Sequence, residues 1–124
     1  MENKKKILMN LYTTIFAEGK SDEISKYYHP DVKGYFNSRE LTLTDLITGV
    51  ATVTKLYTSI ETKIEDMIIT ENKTATRLCR TMVRIQDNKK ISMNLIIIKH
   101  FHEGKINHVW TICDNNDVTA IWND

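Results

Sequence analysis

The side chains best able to do chemistry gather in the last third of this chain, where Lys99, His100, His102, His108 and Asp114 stand among isoleucines, Phe101 and Trp110. Between Ile96 and Asp114 the turn signal is Glu103-Gly104, which predicts a β-hairpin closed by a two-residue turn. An uninterrupted hairpin sets His102 against Lys105, Phe101 against Ile106, Lys99 against His108 and Ile97 against Trp110. Ile97, Lys99, Phe101, Ile106, His108, Trp110, Ile112 and Asp114 then share one face, while Ile96, Ile98, His100, His102, Lys105, Asn107, Val109, Thr111 and Cys113 fall on the other. The first face is mostly apolar and aromatic but ends in a carboxylate, the make-up of a ligand cavity with one polar anchor.

On that face Asp114 is the candidate acid or base, because partial desolvation beside Ile106, Trp110 and Ile112 raises a carboxyl pKa. Its other reading is a strand-end carboxylate capping a turn formed with Asn115 and Asn116. Lys99 and His108 are expected to face each other and to hydrogen-bond an anionic group at the cavity rim. Trp110 reads as a wall, since indole offers one donor and a large apolar surface. The same register points His108 away from His100 and His102, so three imidazoles do not converge and no metal site is expected.

The elements that must position these groups follow from periodicity. Ile7, Leu8, Leu11, Tyr12, Ile15 and Phe16 repeat at helical spacing, and Gly19 is suited to cap that helix. Tyr12 lies within its apolar arc, where it is either a core tyrosine or part of a pocket. A short second helix starts at Ser21 and is stopped by His29-Pro30. Residues 32 to 36 suggest a short strand, and a third helix is predicted from Thr42 or Thr44 to about Tyr57. From Ser59 the period changes to two, with further strands near 74 to 86, 90 to 102 and 105 to 114. Helices first and a meander of long strands afterwards predict an α+β domain, with three N-terminal helices packed on a curved, mostly antiparallel sheet. The faces taken by Arg77, Arg80 and Arg84 stay open, because moving the Asp87-Asn88 turn by one residue exchanges them.

With 124 residues, one Pro and four Gly, the chain reads as a single domain over 1–124, long enough to bury a core unaided. A net charge of +1 gives no pull toward nucleic acid. No apolar run approaches the ~20 residues needed to span a bilayer, and Asn10, Tyr12, Thr13 and Thr14 interrupt the stretch after Lys4-Lys5-Lys6 that mimics a signal peptide. Cys79 and Cys113 lack metal spacing and read as reduced packing residues, so a cytoplasmic protein is expected.

The order of elements, together with Tyr12 to Lys20, Ile24 to Asp31, and Phe101-His102-Glu103-Gly104-Lys105-Ile106 leading to Trp110 and Asp114, resembles the SnoaL-like polyketide cyclases. These belong to the nuclear transport factor two-like superfamily, which also includes ketosteroid isomerases and limonene epoxide hydrolases. The resemblance implies a cone with a central cavity, two cones often pairing through their outer sheet faces. It gives the proton-transfer task to Asp114 and places Tyr12 where an isomerase holds an oxyanion-stabilising tyrosine. The isomerase base would fall at Phe36 or Asn37, neither of which can accept a proton from a carbon acid at neutral pH. The connection after the second long strand also lacks the Gly and His that cyclases commonly carry.

The expectation is a cofactor-independent isomerase, cyclase or hydrolase acting on a small apolar or amphipathic molecule. Asp114, Tyr12 and His108 would be catalytic. Trp110, Phe101, Tyr35, Ile106, Lys99 and Asn37 would contact the ligand, and a homodimer would form through the outer sheet face. The alternative is a non-catalytic ligand-binding or protein-interaction module of the same fold.

Overall fold

The structure, a computed structural model, describes residues 2–115. Helix α1 (Glu2–Asn10) continues through a π-helical turn (Leu11–Ile15) into α2 (Phe16–Glu18), so the predicted first helix is one rod with a widened middle. Leu8, Leu11, Tyr12 and Ile15 form its buried stripe. Gly19 closes it in the left-handed region at φ 68°. The second helix is a 3-10 helix, Ser21–Lys26, and ends earlier than the His29-Pro30 stop predicts. Pro30 instead lies inside β1 (Tyr28–Phe36), where the parallel pairing with the last strand shifts register between Tyr28 and Lys33. A proline is tolerated there because the ladder is already interrupted.

After β1 the chain turns into a short strand, β2 (Arg39–Leu41), and then α3 (Leu43–Leu56). Thr42 starts α3 with a reciprocal capping box: its hydroxyl accepts from the Asp45 N–H while the Asp45 carboxylate accepts from the Thr42 N–H. The helix runs directly into β3 (Tyr57–Ile69), followed by β4 (Lys73–Arg84), β5 (Lys90–His102) and β6 (Lys105–Cys113). The six strands form one mixed sheet in the order β2-β1-β6-β5-β4-β3, with β1 and β6 parallel and the other pairs antiparallel. The helices cover one face, and the core lies between them and the sheet. This is the predicted α+β architecture, with one parallel pair added.

The period-two pattern works most clearly in β5, where Ile91, Met93, Leu95, Ile97, Lys99 and Phe101 are buried and the residues between them are more exposed. In the turn that follows, Glu103 and Gly104 both have positive φ, 51° and 81°, as the tight hairpin requires. Among the described residues no helix is long and apolar enough to cross a membrane. Cys79 and Cys113 are free.

Gly19 is the position where a side chain is least welcome. An added Cβ would meet the Thr54 hydroxyl at 2.8 Å in a backbone conformation that L residues rarely adopt. Gly19→Ala is therefore expected to lower stability by about 1–3 kcal/mol, read as a lower urea midpoint at unchanged slope; an unshifted midpoint would show that the rod does not depend on this cap.

Candidate functional site

One extra residue in β6 decides what the site contains. His102–Lys105 and Phe101–Ile106 pair as the two-residue turn dictates, but the next pair is His100–His108, leaving Asn107 as a bulge. Beyond it Lys99 faces Val109, Ile98 faces Trp110, Ile97 faces Thr111 and Leu95 faces Cys113. The expected Lys99–His108 and Ile97–Trp110 pairs do not form. A single inserted residue moves every later side chain to the opposite face, so Val109, Thr111 and Cys113 turn inward while His108, Trp110 and Ile112 turn outward.

The outward group makes an aromatic row. Trp110 stacks on Tyr35 at 5.8 Å and on His108 at 5.5 Å, with His100 edge-on at 4.8 Å. Trp110, Tyr35 and His108 are therefore not cavity walls, and His100 and His108 share a face instead of opposing each other. Among the described residues no three His, Cys, Asp or Glu side chains come together in a group able to hold a metal.

Asp114 follows Trp110 to the exposed side. Its carboxylate accepts from the Asn94 N–H at 2.8 Å and from the Asn94 side-chain amide at 3.0 Å. These hydrogen bonds hold the carboxyl below its ordinary range, opposite to the shift expected of a desolvated acid. The carboxylate thus joins β6 to β5; of the turn expected with Asn115 and Asn116, Asn115 donates its side-chain amide to the Ser92 carbonyl at 3.2 Å, and Asn116 lies outside the described residues. Asn37 has a structural place too, its side-chain oxygen accepting from the Cys113 N–H at 3.0 Å. Phe101 and Ile106 are buried as expected, yet they belong to the core beside the cavity and do not line it.

The cavity lies between the helical rod, α3 and the inner sheet face, with a volume of about 110 Å³ and partial opening to solvent. Its walls are apolar, among them Leu11, Ile15, Phe16, Leu46, Val50 and Val109, and its polar side chains include Tyr12, Tyr28, Arg80 and Lys99. Among the described residues no Asp or Glu lines it. Arg80 is 4 % exposed and Lys99 is 2 % exposed, so two cations share one desolvated chamber.

Each cation is held differently. The Arg80 guanidinium lies 3.8 Å from the Phe16 ring centre, donates from Nε to the Thr62 hydroxyl at 3.0 Å, and donates from Nη2 to the Tyr12 carbonyl at 3.1 Å within the π-helical turn. Burial still pulls its pKa down to about 10. The Lys99 amine sits 4.3 Å from the Tyr12 ring centre and 5.4 Å from that of Tyr28, with no hydrogen-bond or ion-pair partner among the described residues. Burial first, and repulsion from Arg80 second, push the Lys99 pKa down to about 7. Burial raises the Tyr12 and Tyr28 phenols well above their ordinary range, keeping both protonated. The Thr76 hydroxyl is near the Tyr12 phenol, yet neither oxygen completes a hydrogen bond of normal geometry.

The inward placement of Lys99 agrees with its sequence phase. Arg80 was not assigned a face, although Leu78-Cys79-Arg80-Thr81-Met82 places it in phase with two apolar residues that are fully buried. Tyr28 was masked by its position before His29-Pro30, which reads as a helix end.

A sequence family described as SnoaL-like polyketide cyclase matches residues 6–120. The chain belongs to that family. Among solved structures it is similar to AclR from Streptomyces galilaeus, at 15% identity and TM-score 0.83, over 99% of this chain and 97% of that one. PrhC from Penicillium brasilianum matches at 14% identity and TM-score 0.77, over 98% and 89%. A SnoaL-like polyketide cyclase from Agrobacterium tumefaciens matches at 14% identity and TM-score 0.69, over 89% and 91%. No curated protein is matched by sequence. At such identities the solved structures support the shared fold, which is the nuclear transport factor two-like cone.

The buried amine makes stability depend on pH. Lys99 has a folded pKa near 7 against an ordinary 10.5, so between those values the unfolded chain binds more protons and stability should rise with pH. Below pH 7 the full cost of the buried ammonium remains. Lys99→Met is accordingly expected to be more stable than the parent at pH 6, by ~1–4 kcal/mol as for other buried charges replaced by apolar groups, with the difference shrinking by pH 9. Urea unfolding at both pH values checks this; a variant less stable at pH 6 would mean that the amine has a stabilising partner.

Proposed function

We propose that this SnoaL-like protein binds a small, largely apolar carbonyl compound in the cone cavity and moves a proton from the carbon next to that carbonyl, as an isomerase or cyclase without a cofactor. The observation that carries this reading is Lys99: a desolvated amine on an apolar cavity wall, with no hydrogen-bonding partner among the described residues and a pKa near neutrality. An amine of that kind is suited to general-base work at physiological pH. Proton transfer from the substrate carbon to Lys99 leaves an enolate beside an ammonium, and the Arg80 guanidinium and Tyr12 phenol supply further stabilisation for the oxyanion. The acid-base role thus moves from Asp114, which is exposed and bound to Asn94, to Lys99. Family membership supports the reaction class, because cyclisation of a polyketide proceeds through such carbon acids.

A one-ring methyl ketone such as acetophenone tests the proposal. In D2O, NMR should show the protein accelerating exchange of the methyl protons, with the rate rising as pH passes 7 and falling at least tenfold in Lys99→Met. Equal rates for the parent and a folded Lys99→Met would overturn the assignment of the base. Asp114→Asn should leave the exchange unchanged.

The outer sheet face supports a second copy as the partner. Ladder neighbours Ile68, Ala75, Ile98, Trp110 and Tyr35 make one row across five strands, flanked by a row of Asp66, Arg77, Ile96 and Ile112. Ile68, Ile96, Ile98 and Ile112 are 40–61 % exposed. A contiguous apolar row of this kind is unusual on a monomer, and Asp66 beside Arg77 suits an isologous contact in which each copy offers both charges. Light scattering should give twice the chain mass for the parent and a monomer for Ile98→Lys; a monomeric parent at high micromolar concentration would remove the reading.

A further inference from the structure

Among the described residues two cations and no carboxylate line the cavity, and this imbalance describes the ligand as well as the protein. On the surface some charges do form ion pairs, as in Lys20–Glu18, Lys26–Glu23 and Arg84–Asp87. Thr62 and the Tyr12 carbonyl give Arg80 two neutral acceptors, and among the described residues Lys99 has only the faces of Tyr12 and Tyr28. Neutral acceptors and ring faces soften buried positive charge but do not cancel it. The Tyr12 hydroxyl, on a residue 4 % exposed, completes no hydrogen bond of normal geometry among the described residues, although the Thr76 hydroxyl is near it. A cationic amine, a guanidinium and a spare phenol O–H on one apolar chamber form an incomplete set whose missing member is an oxygen anion.

We propose that the cavity is a receptor for amphipathic oxygen monoanions, a carboxylate on an apolar body of about one aromatic ring, with the anionic end at Lys99, Arg80 and Tyr12. The inference rests on the reading that the cavity admits a small molecule, and it adds the charge of the preferred one. A carboxylate reproduces the charge of the enolate without undergoing the reaction, so it binds as a stable mimic of the intermediate. The size limit follows from the volume of about 110 Å³, since an apolar cavity of ~150 Å³ accommodates benzene; the partial opening leaves room for a tail.

Binding should be coupled to a proton. The groups around the Lys99 amine are Tyr12 from the helical rod, Tyr28 from β1 and Arg80 from β4, with the Cys113 thiol of β6 acting on Arg80. Tyr12 and Tyr28 stay protonated, burial raises the Cys113 thiol, and Arg80 keeps its charge up to about pH 10. Lys99 is therefore the group that changes charge near neutrality. Above pH 7 an arriving carboxylate favours the ammonium, and one proton moves from solvent to the Lys99 Nζ as the complex forms.

Benzoate and its neutral isostere benzamide provide the test, by calorimetry on the full chain in buffers of different ionisation enthalpy. Benzoate is expected to bind at least tenfold tighter than benzamide at pH 6, to weaken by about tenfold per pH unit above 7, and to take up close to one proton per molecule bound at pH 8. Lys99→Met should lose most of that preference and all of the pH dependence, while Lys99→Arg should keep the preference without the proton uptake. Equal affinity for the two probes, or benzoate binding without proton uptake in the parent, would overturn the anion assignment while acetophenone exchange still supported the proposed reaction. Failure of benzoate, benzamide and acetophenone alike to bind would remove both.

Discussion

The pleat of a β-strand sends alternate side chains to opposite faces, and one extra residue at Asn107 reverses that order for the rest of β6. Most features of the site depend on this constraint. Before the bulge, Phe101 and Ile106 both point into the core as a regular hairpin requires; after it, Val109 and Thr111 become cavity wall and Trp110 becomes the centre of the outer row. The bulge removes the indole, an imidazole and a carboxylate from the inside together. What remains there is almost entirely apolar apart from the tyrosines, the threonines and two cations.

Those cations have a consequence that burial of apolar surface alone would not produce. A protein interior disfavours charge, and Lys99, with no anion to pair with among the described residues, responds by giving up its proton near pH 7. Arg80 cannot respond in the same way, because a guanidinium resists deprotonation. It is accommodated by stacking on Phe16 and by donating to the helical rod through the Tyr12 carbonyl. The helical rod therefore does more than close the cone: its π-helical turn supplies an acceptor for one cation, and the ring of Tyr12 supplies the surface against which the other rests. Loss of stability and a titratable amine in an apolar chamber come from the same arrangement, as is common where sites depart from the most stable packing.

The two sides of the sheet are correspondingly different in chemistry. Among the described residues the inner side holds two cations without counter-charge, while the outer side exposes an apolar and aromatic row flanked by Asp66 and Arg77. A cone that buried its outer row against a second copy would keep the cavity mouth free, because the helices and the outer sheet face lie on opposite sides of the strands.

Much of the fold was legible in the residues themselves. Helical spacing from Ile7 to Phe16, the Thr42 cap with Asp45 three residues on, and strict alternation from Ile91 to Phe101 each act through neighbours a few positions apart, so local chemistry is enough to specify them. The same alternation placed Lys99 inside. The faces of Trp110, His108 and Asp114 were not legible, because a bulge is a pairing event between two strands and Asn107 looks like an ordinary strand residue in the sequence. Arg80 was legible only in part: it alternates in phase with Leu78 and Met82, but which face of β4 those residues turn inward depends on the pairing with β5. Local periodicity determined which segments are helix and strand; only the pairing of strands distant in the chain decided which charges meet in the dark interior and which face water.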